Sequence, residues 1–293
     1  MYKYFKIIYY KKNMFINKRL SIKFNIDKLH IKFSNYDLLR DAINDVISDS
    51  FDGFRFIPIH PHLNYRMYEL RYDDEVLGVL SFRESHGVIL EVDNRQLYSG
   101  SLDKVYLFAH RFSLTMETFS KIEICCDANV DLPGKLNRLL HSRAYEITRR
   151  GVKMLNDKGN IDIGVKILPN IVTVDGERER RYPTYNFTPV VTSGCRKCPV
   201  RMVGYNKSVE VEKSSHKHYI LRSLPFGDDV AHRLEIRTCG YEMQRNGLDV
   251  RTLFYDIDKE ETVRNLFIAY LDRFFEFNKG GQRYRASELL RVA

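Results

Sequence analysis

Tryptophan is absent from the 293 residues, and no apolar run approaches the ~18–20 residues that a bilayer-crossing helix needs. The second absence excludes a membrane-spanning helix. Cysteine is scarce: Cys125, Cys126, Cys195, Cys198 and Cys239 make an odd set with two adjacent members. That pattern excludes a disulfide framework and fits a reducing, cytoplasmic setting. Walker loops, dinucleotide fingerprints and serine nucleophile elbows are missing, which removes the commonest nucleotide-binding and acyl-transfer signatures. The opening 12 residues are basic and aromatic, but their apolar stretch is short and no small-residue cleavage site follows. A signal peptide is therefore not expected.

What is present is charge and tyrosine. Lys+Arg exceed Asp+Glu by 47 to 38, a surplus of +9, and 44% of residues are hydrophobic. The apolar share can build a core, and the length suits one large domain or two small ones. A basic surplus of this size is compatible with nucleic acid, an anionic membrane or plain solubility. The 19 tyrosines favour the first, because tyrosine beside Lys or Arg stacks on bases next to phosphate contacts.

Hydrophobic spacing divides the chain. Residues 1–24 carry Lys3, Lys6, Lys11, Lys12, Lys18, Arg19 and Lys23 with no acid before Asp27, which reads as a nucleic-acid-touching arm or as a strand with a solvated leader. Residues 37–48 have helical spacing. Three strands separated by turn signals follow from Tyr65, forming an antiparallel meander. A helix then starts near Ser101 or Asp103, a strand runs over 121–128, and a helix runs from Pro133-Gly134 to about Gly151. Lys135, Arg138, Tyr145 and Arg149 make one basic stripe on that helix. Residues 157–190 read as an inserted hairpin, 200–212 and 232–239 as strands, and 260–277 as an amphipathic helix whose stripe is core. The expected fold is α+β, with a central antiparallel sheet from two sheet-plus-helix halves, an inserted hairpin and a C-terminal amphipathic helix. The expected divisions are 1–50, a basic arm and short helix; 51–245, the catalytic region; and 246–293, a helical tail.

Strand alternation sorts the candidate chemistry. Over 121–128, Glu123, Cys125 and Asp127 share one face. Over 232–239, Glu235 shares a face with Arg233 and Arg237. Over 200–212, Arg201, Val203, Tyr205, Lys207 and Val209 point one way if the strand is unbroken. Were these strands neighbours, one face would present Glu123, Asp127 and Glu235 beside Tyr205 and Lys207. Such carboxylates suit Mg²⁺ or Mn²⁺, and a tyrosine near a divalent cation can lose its proton and attack phosphorus. The competing reading pairs Glu123 and Glu235 with Lys121, Arg233 or Arg237 across an exposed sheet face.

The same residues resemble a family. Ser120-Lys121-Ile122-Glu123, then Arg201 to Glu210 with Tyr205 and Lys207, then Arg233-Leu234-Glu235-Ile236-Arg237 match in order the strand motifs of filamentous-phage replication-initiator endonucleases and rolling-circle plasmid initiators. The similarity spans roughly residues 60–245. It implies a nicking–joining endonuclease in which Tyr205 forms a 5′-phosphotyrosine and frees a 3′-OH. It also implies metal held by Glu123, Asp127 and Glu235, and phosphate charge countered by Lys207. Glu123 stands where the family more often has Asp, one methylene longer.

Contacts to double-stranded origin DNA and to single-stranded DNA are expected at Lys135, Arg138, Arg149, Arg196, Lys197, Arg201 and Arg237. A host helicase is a possible further partner, and no membrane is expected. His60-Pro61-His62 has a metal-pair spacing but reads as a loop, because proline fits a central strand badly. His216-Lys217-His218 is a weak ligand candidate. Cys195 and Cys198 read as free thiols rather than zinc ligands, since a one-residue gap between His216 and His218 is short for a zinc site. Two alternatives stay open: a nucleic-acid-binding module without chemistry, and a relaxase or recombinase of a mobile element.

Overall fold

The computed structural model describes residues 20–44, 51–62, 65–83, 87–149, 152–153, 166–174, 177–187 and 200–292. In chain order the elements are β1 (Ile22–Ser34), α1 (Asp37–Asn44), β2 (Phe54–His62), β3 (Tyr65–Tyr72), β4 (Glu75–Arg83), β5 (Gly87–Val92), α2 (Asn94–Ser99), α3 (Asp103–Arg111), β6 (Thr115–Ala128) and α4 (Leu132–Leu140). Then come β7 (Glu146–Arg149), β8 (Val152–Lys153), β9 (Lys166–Val174), β10 (Glu177–Asn186), β11 (Arg201–Asn206), α5 (Lys207–Glu210), α6 (His218–Ser223), β12 (His232–Thr238), α7 (Gly240–Arg245), α8 (Val250–Phe254), α9 (Glu260–Phe274), β13 (Glu276–Lys279), β14 (Gln282–Arg285) and α10 (Ala286–Leu290). A single π-helical turn, Val211–Ser215, continues α5.

The fold is α+β. Ten strands form one antiparallel sheet in the order β2-β3-β4-β5-β1-β6-β12-β11-β10-β9. The meander β3-β4-β5 and the β9–β10 hairpin follow the sequence expectation, the hairpin forming one edge of the sheet. Strand β1 lies at the centre, antiparallel to both β5 and β6. The segment from Ile22 is thus a core strand joining the two halves, not part of an arm; residues 1–19 lie outside the described residues. Alternation explains the strand, because Phe24, Ile26, Leu29, Ile31 and Phe33 are buried on one side. The spacing slips between Ile26 and Leu29, and the β1–β6 register shifts at the same place, so Asp27 sits in a bulge.

One face of the sheet is apolar and carries most of the helices. Helices α7, α8 and α9 pack on β6, α9 also covers β1, and α4 packs on β11 and β12. The stripe Val263, Leu266, Phe267, Tyr270, Leu271 and Phe274 of α9 is buried in this core, as its period requires.

Three boundaries differ from the sequence reading. Helix α4 ends at Leu140, and Ile147 belongs to strand β7, where it pairs with Phe277 of β13. That pairing belongs to a second, four-stranded sheet, β14-β13-β7-β8. The tyrosine strand stops at Asn206, whose side-chain oxygen accepts from the Val209 amide at 3.0 Å and starts α5. His60-Pro61-His62 is strand rather than loop, and Pro61 is tolerated because β2 is an edge strand.

Candidate active site: a carboxylate cluster beside a buried tyrosine

Strands β1, β6, β12 and β11 are consecutive neighbours, and their registers bring the polar residues together on the side away from the main core. Arg233 lies opposite Asp127, Glu235 opposite Cys125 and Arg237 opposite Glu123. On the other side of β12, Tyr205 lies opposite Arg233 and Arg201 opposite Arg237. Glu123, Asp127, Glu235 and Tyr205 therefore do share one face. That face is not exposed: Glu235 is 1% accessible, Asp127 and Arg233 0%, and Tyr205 8%. Burial of this many ionisable groups demands specific partners.

Carboxylates of Asp27, Glu123 and Glu235 each place an oxygen so that the three atoms lie within 4.8 Å of one another. The bulge in β1 supplies Asp27, which the sequence reading did not include. Asp127 is turned to a different task, because both of its oxygens accept from Arg233, at 2.7 and 2.8 Å. A bidentate guanidinium of this kind neutralises the carboxylate and leaves it outside the converging group. The signal for Asp27 was the one-residue slip in the apolar alternation of β1, since a bulge re-aims the residue it inserts.

The Tyr205 hydroxyl donates to Glu235 Oε2 at 2.9 Å, while Glu235 Oε1 accepts from Arg237 Nε at 2.6 Å. Glu123 pairs with Lys121 at 2.7 Å and more loosely with Arg237 at 3.7 Å. The ion pairs anticipated by the competing reading thus exist, but they join buried carboxylates to the half-exposed cations Lys121 and Arg237 at the rim of the site. Burial pushes the Glu235 carboxyl above its ordinary range, and the nearby Glu123 and Asp27 charges add to this against Arg237. Burial also pushes the Tyr205 phenol well up, with Glu235 reinforcing it. For Asp27 burial acts upward too, but Arg233 and Lys207 outweigh it and hold this carboxyl below the usual range.

Lys207 is buried at the first position of α5, pairs with Glu210 at 2.8 Å, and stands 5.9 Å from the Tyr205 ring centre. It reaches the site from a helix rather than from the strand face. Its backbone amide bonds to Ala231 O at 2.8 Å, which pins the base of the 207–231 excursion between β11 and β12.

A divalent cation fits this donor set. All three converging ligands are carboxylate oxygens, the preference of Mg²⁺ and Mn²⁺, and a bound cation offsets both the burial that raises Glu235 and the smaller repulsion from Glu123 and Asp27.

The remaining sequence candidates scatter. Arg201 is exposed and Arg237 half-buried on the site face. Lys135 and Arg138 sit on α4, behind the sheet: the α4 residue Pro133 faces Gly204, which points away from Tyr205. Lys135 bonds to Leu290 O at 3.1 Å. The stripe is further broken because Tyr145 packs on Phe277 and Tyr284, and Arg149 falls in β7. Strand β2, with His60 and His62, is separated from β1 by β3, β4 and β5. His216 and His218 flank a turn in the 207–231 excursion. Arg196, Lys197, Cys195 and Cys198 lie outside the described residues.

No family model and no curated protein sequence matches the chain. Among solved structures, a rolling circle replication initiator protein from Geobacillus stearothermophilus is similar, with a TM-score of 0.47 and 13% identity over 89% of each chain. At that similarity the chemistry of the site has to be read from this chain's own residues. No helix among the described residues is long and apolar enough to cross a membrane.

Proposed function

We propose that the chain is a DNA strand-nicking and -joining enzyme of the rolling-circle initiator type, with Tyr205 as nucleophile. The observation that carries this reading is the Tyr205 hydroxyl bonded to Glu235 within a cluster of three converging carboxylates. The strand motifs around Glu123, Tyr205 and Glu235 support it further.

Asp27, Glu123 and Glu235 would hold Mg²⁺ or Mn²⁺, which when bound would supply positive charge for a phosphate oxygen and ease loss of the phenol proton. Tyr205 Oη forms a bond to phosphorus as the bond from phosphorus to the 3′-oxygen breaks. The tyrosine proton passes along the existing hydrogen bond to Glu235 Oε2, the acceptor already in place at 2.9 Å. The leaving 3′-oxygen takes up a proton and becomes the free 3′-OH, while the 5′ end stays on the tyrosine. Rejoining reverses these steps. Lys207, whose charge reaches Asp27, adds positive potential beside the reacting phosphate. Arg201, exposed on this face, and the half-exposed Arg237 are the candidates for backbone phosphate contacts.

The test is a nicking assay on supercoiled DNA carrying the candidate origin, with Mg²⁺, Mn²⁺ or EDTA, comparing wild type with Tyr205→Phe. Expected are cation-dependent nicks with a protein-blocked 5′ end, absent in the variant. Equal nicking by Tyr205→Phe would overturn the nucleophile. Origin binding with no nicking under any cation would favour a binding module without chemistry.

A further inference from the structure

Arg233 is completely buried, and every nitrogen of its guanidinium is engaged. Nε and Nη2 hold the two oxygens of Asp127, Nη2 also donates to the Tyr98 hydroxyl at 2.7 Å, and Nη1 donates to Asp27 Oδ1 at 2.6 Å. Tyr98, from α2, donates its own proton to the same Asp27 oxygen at 2.6 Å. The backbone is fixed as well, because Asn94 Nδ2 donates to the Asp27 carbonyl at 2.6 Å. Asn94 in turn accepts from Tyr219 of α6 at 2.8 Å, and Arg95 lies 5.6 Å from the Tyr219 ring centre. The bulged residue is therefore held at one carboxylate oxygen from two directions and at its main chain from a third.

We propose that Arg233 and Tyr98 form a positioning pair for the cation site. By filling Asp27 Oδ1 they make Asp27 a one-oxygen ligand through Oδ2. By clamping both oxygens of Asp127, Arg233 withholds that carboxylate from the cation. This inference rests on the carboxylate site proposed above and assigns the choice between two aspartates on neighbouring strands to one guanidinium. The task requires a planar fork: two carboxylates and a phenol are met at once, which a lysine ammonium at the end of a flexible stem cannot reproduce. Tyr98 adds the second donor at an oxygen that a lone hydrogen bond would leave free to rotate. Groups that orient ligands in this way typically change metal affinity by about 10–100-fold when removed.

The test is titration of the full chain with Mn²⁺, followed by the paramagnetic signal of the free ion, together with thermal melts that establish the folded fraction. Wild type, Arg233→Lys and Tyr98→Phe are compared at a temperature where each is folded. Mn²⁺ affinity is expected to fall ~10–100-fold in Arg233→Lys and by a smaller factor in Tyr98→Phe. A purely structural role would lower melting temperatures and leave the affinity of the folded protein at the wild-type value, and that result would overturn the proposal. Should Arg233→Lys not fold, Tyr98→Phe decides, since it deletes one oxygen and keeps the ring; unchanged affinity there is equally fatal. If the wild type binds no Mn²⁺, the cation site itself falls and this inference with it. Wild-type binding with unaltered variants removes only the positioning role.

Discussion

At their centres the two faces of strands β6 and β12 are equally dry and chemically opposite. Ile122, Ile124, Cys126, Leu234 and Ile236 on one side are as inaccessible as Asp127, Arg233 and Glu235 on the other. The apolar face stabilises without regard to exact geometry, because burial of hydrocarbon is non-directional. The charged face tolerates no such looseness, since each group is acceptable only with its partner at hydrogen-bond distance. A sheet with one face of each kind therefore anchors on one side and aims on the other. Ion pairs kept only for solubility would stand in water, as Arg55–Asp74 and Lys104–Glu75 do around the β3–β4 turn.

Substitutions on the two faces should separate these roles. The largest effect is expected from Arg233→Ala, which leaves Asp27 and Asp127 facing each other without a cation and should cost about 3–5 kcal/mol in urea unfolding. Across the sheet, Ile236→Ala should cost about 2–5 kcal/mol while leaving nicking per folded molecule near wild type. Loss of nicking in that variant would break the division between the faces.

Gly204→Ala tests whether a disturbance crosses the sheet. Its new Cβ would stand 2.8 Å from Pro133 Cβ and 3.0 Å from both Leu234 Cδ2 and Phe187 Cε2. About 1–3 kcal/mol of overpacking is expected by equilibrium unfolding, with nicking reduced because Tyr205 is the next residue. Lost stability with intact nicking would show that the faces are independent even one residue apart.

The smallest effect is a pH signature. Glu235 has a raised proton affinity in the folded protein, so its contribution to stability is full below its unfolded value of 4.5 and is lost as pH rises through the raised folded value. In EDTA, Glu235→Gln should therefore melt slightly above wild type at neutral pH, with the gain vanishing as pH falls toward 4.5. A difference independent of pH would show that Glu235 is not under this strain. Added Mn²⁺ should reverse the order of the two melting temperatures.

Much of the charged face was legible because period-two alternation survives any uncertainty about neighbours. Residues 121–128 and 232–239 put Glu123, Asp127, Glu235 and Arg233 on a common side once the strands pair. The meander and the core stripe of α9 were readable for the same reason, each being a local repeat. Pairing itself was not local. Nothing within β1 says that it lies between β5 and β6, so Asp27 went unread, and which aspartate Arg233 releases depends on contacts over 100 residues away. The basic stripe failed for the opposite reason. Ile147 happened to continue a helical spacing, and only its pairing with Phe277 shows it to be strand. Asn206 hid in a similar way, its capping role cutting short an alternation that appeared to run on to Val209.

The central place of β1 has a consequence in time. During synthesis this strand is made before either of its neighbours, and the bond from Cys125 of β6 to the Asn25 carbonyl spans 100 residues. The clasp on Asp27 closes a loop longer still, 206 residues to Arg233. Contacts of such span form late and slow the search for the native state. A ribosome-bound chain lacking β12 has Asp27, Glu123 and the tyrosine strand but neither Glu235 nor Arg233, so the polar cluster closes only once β12 has been made.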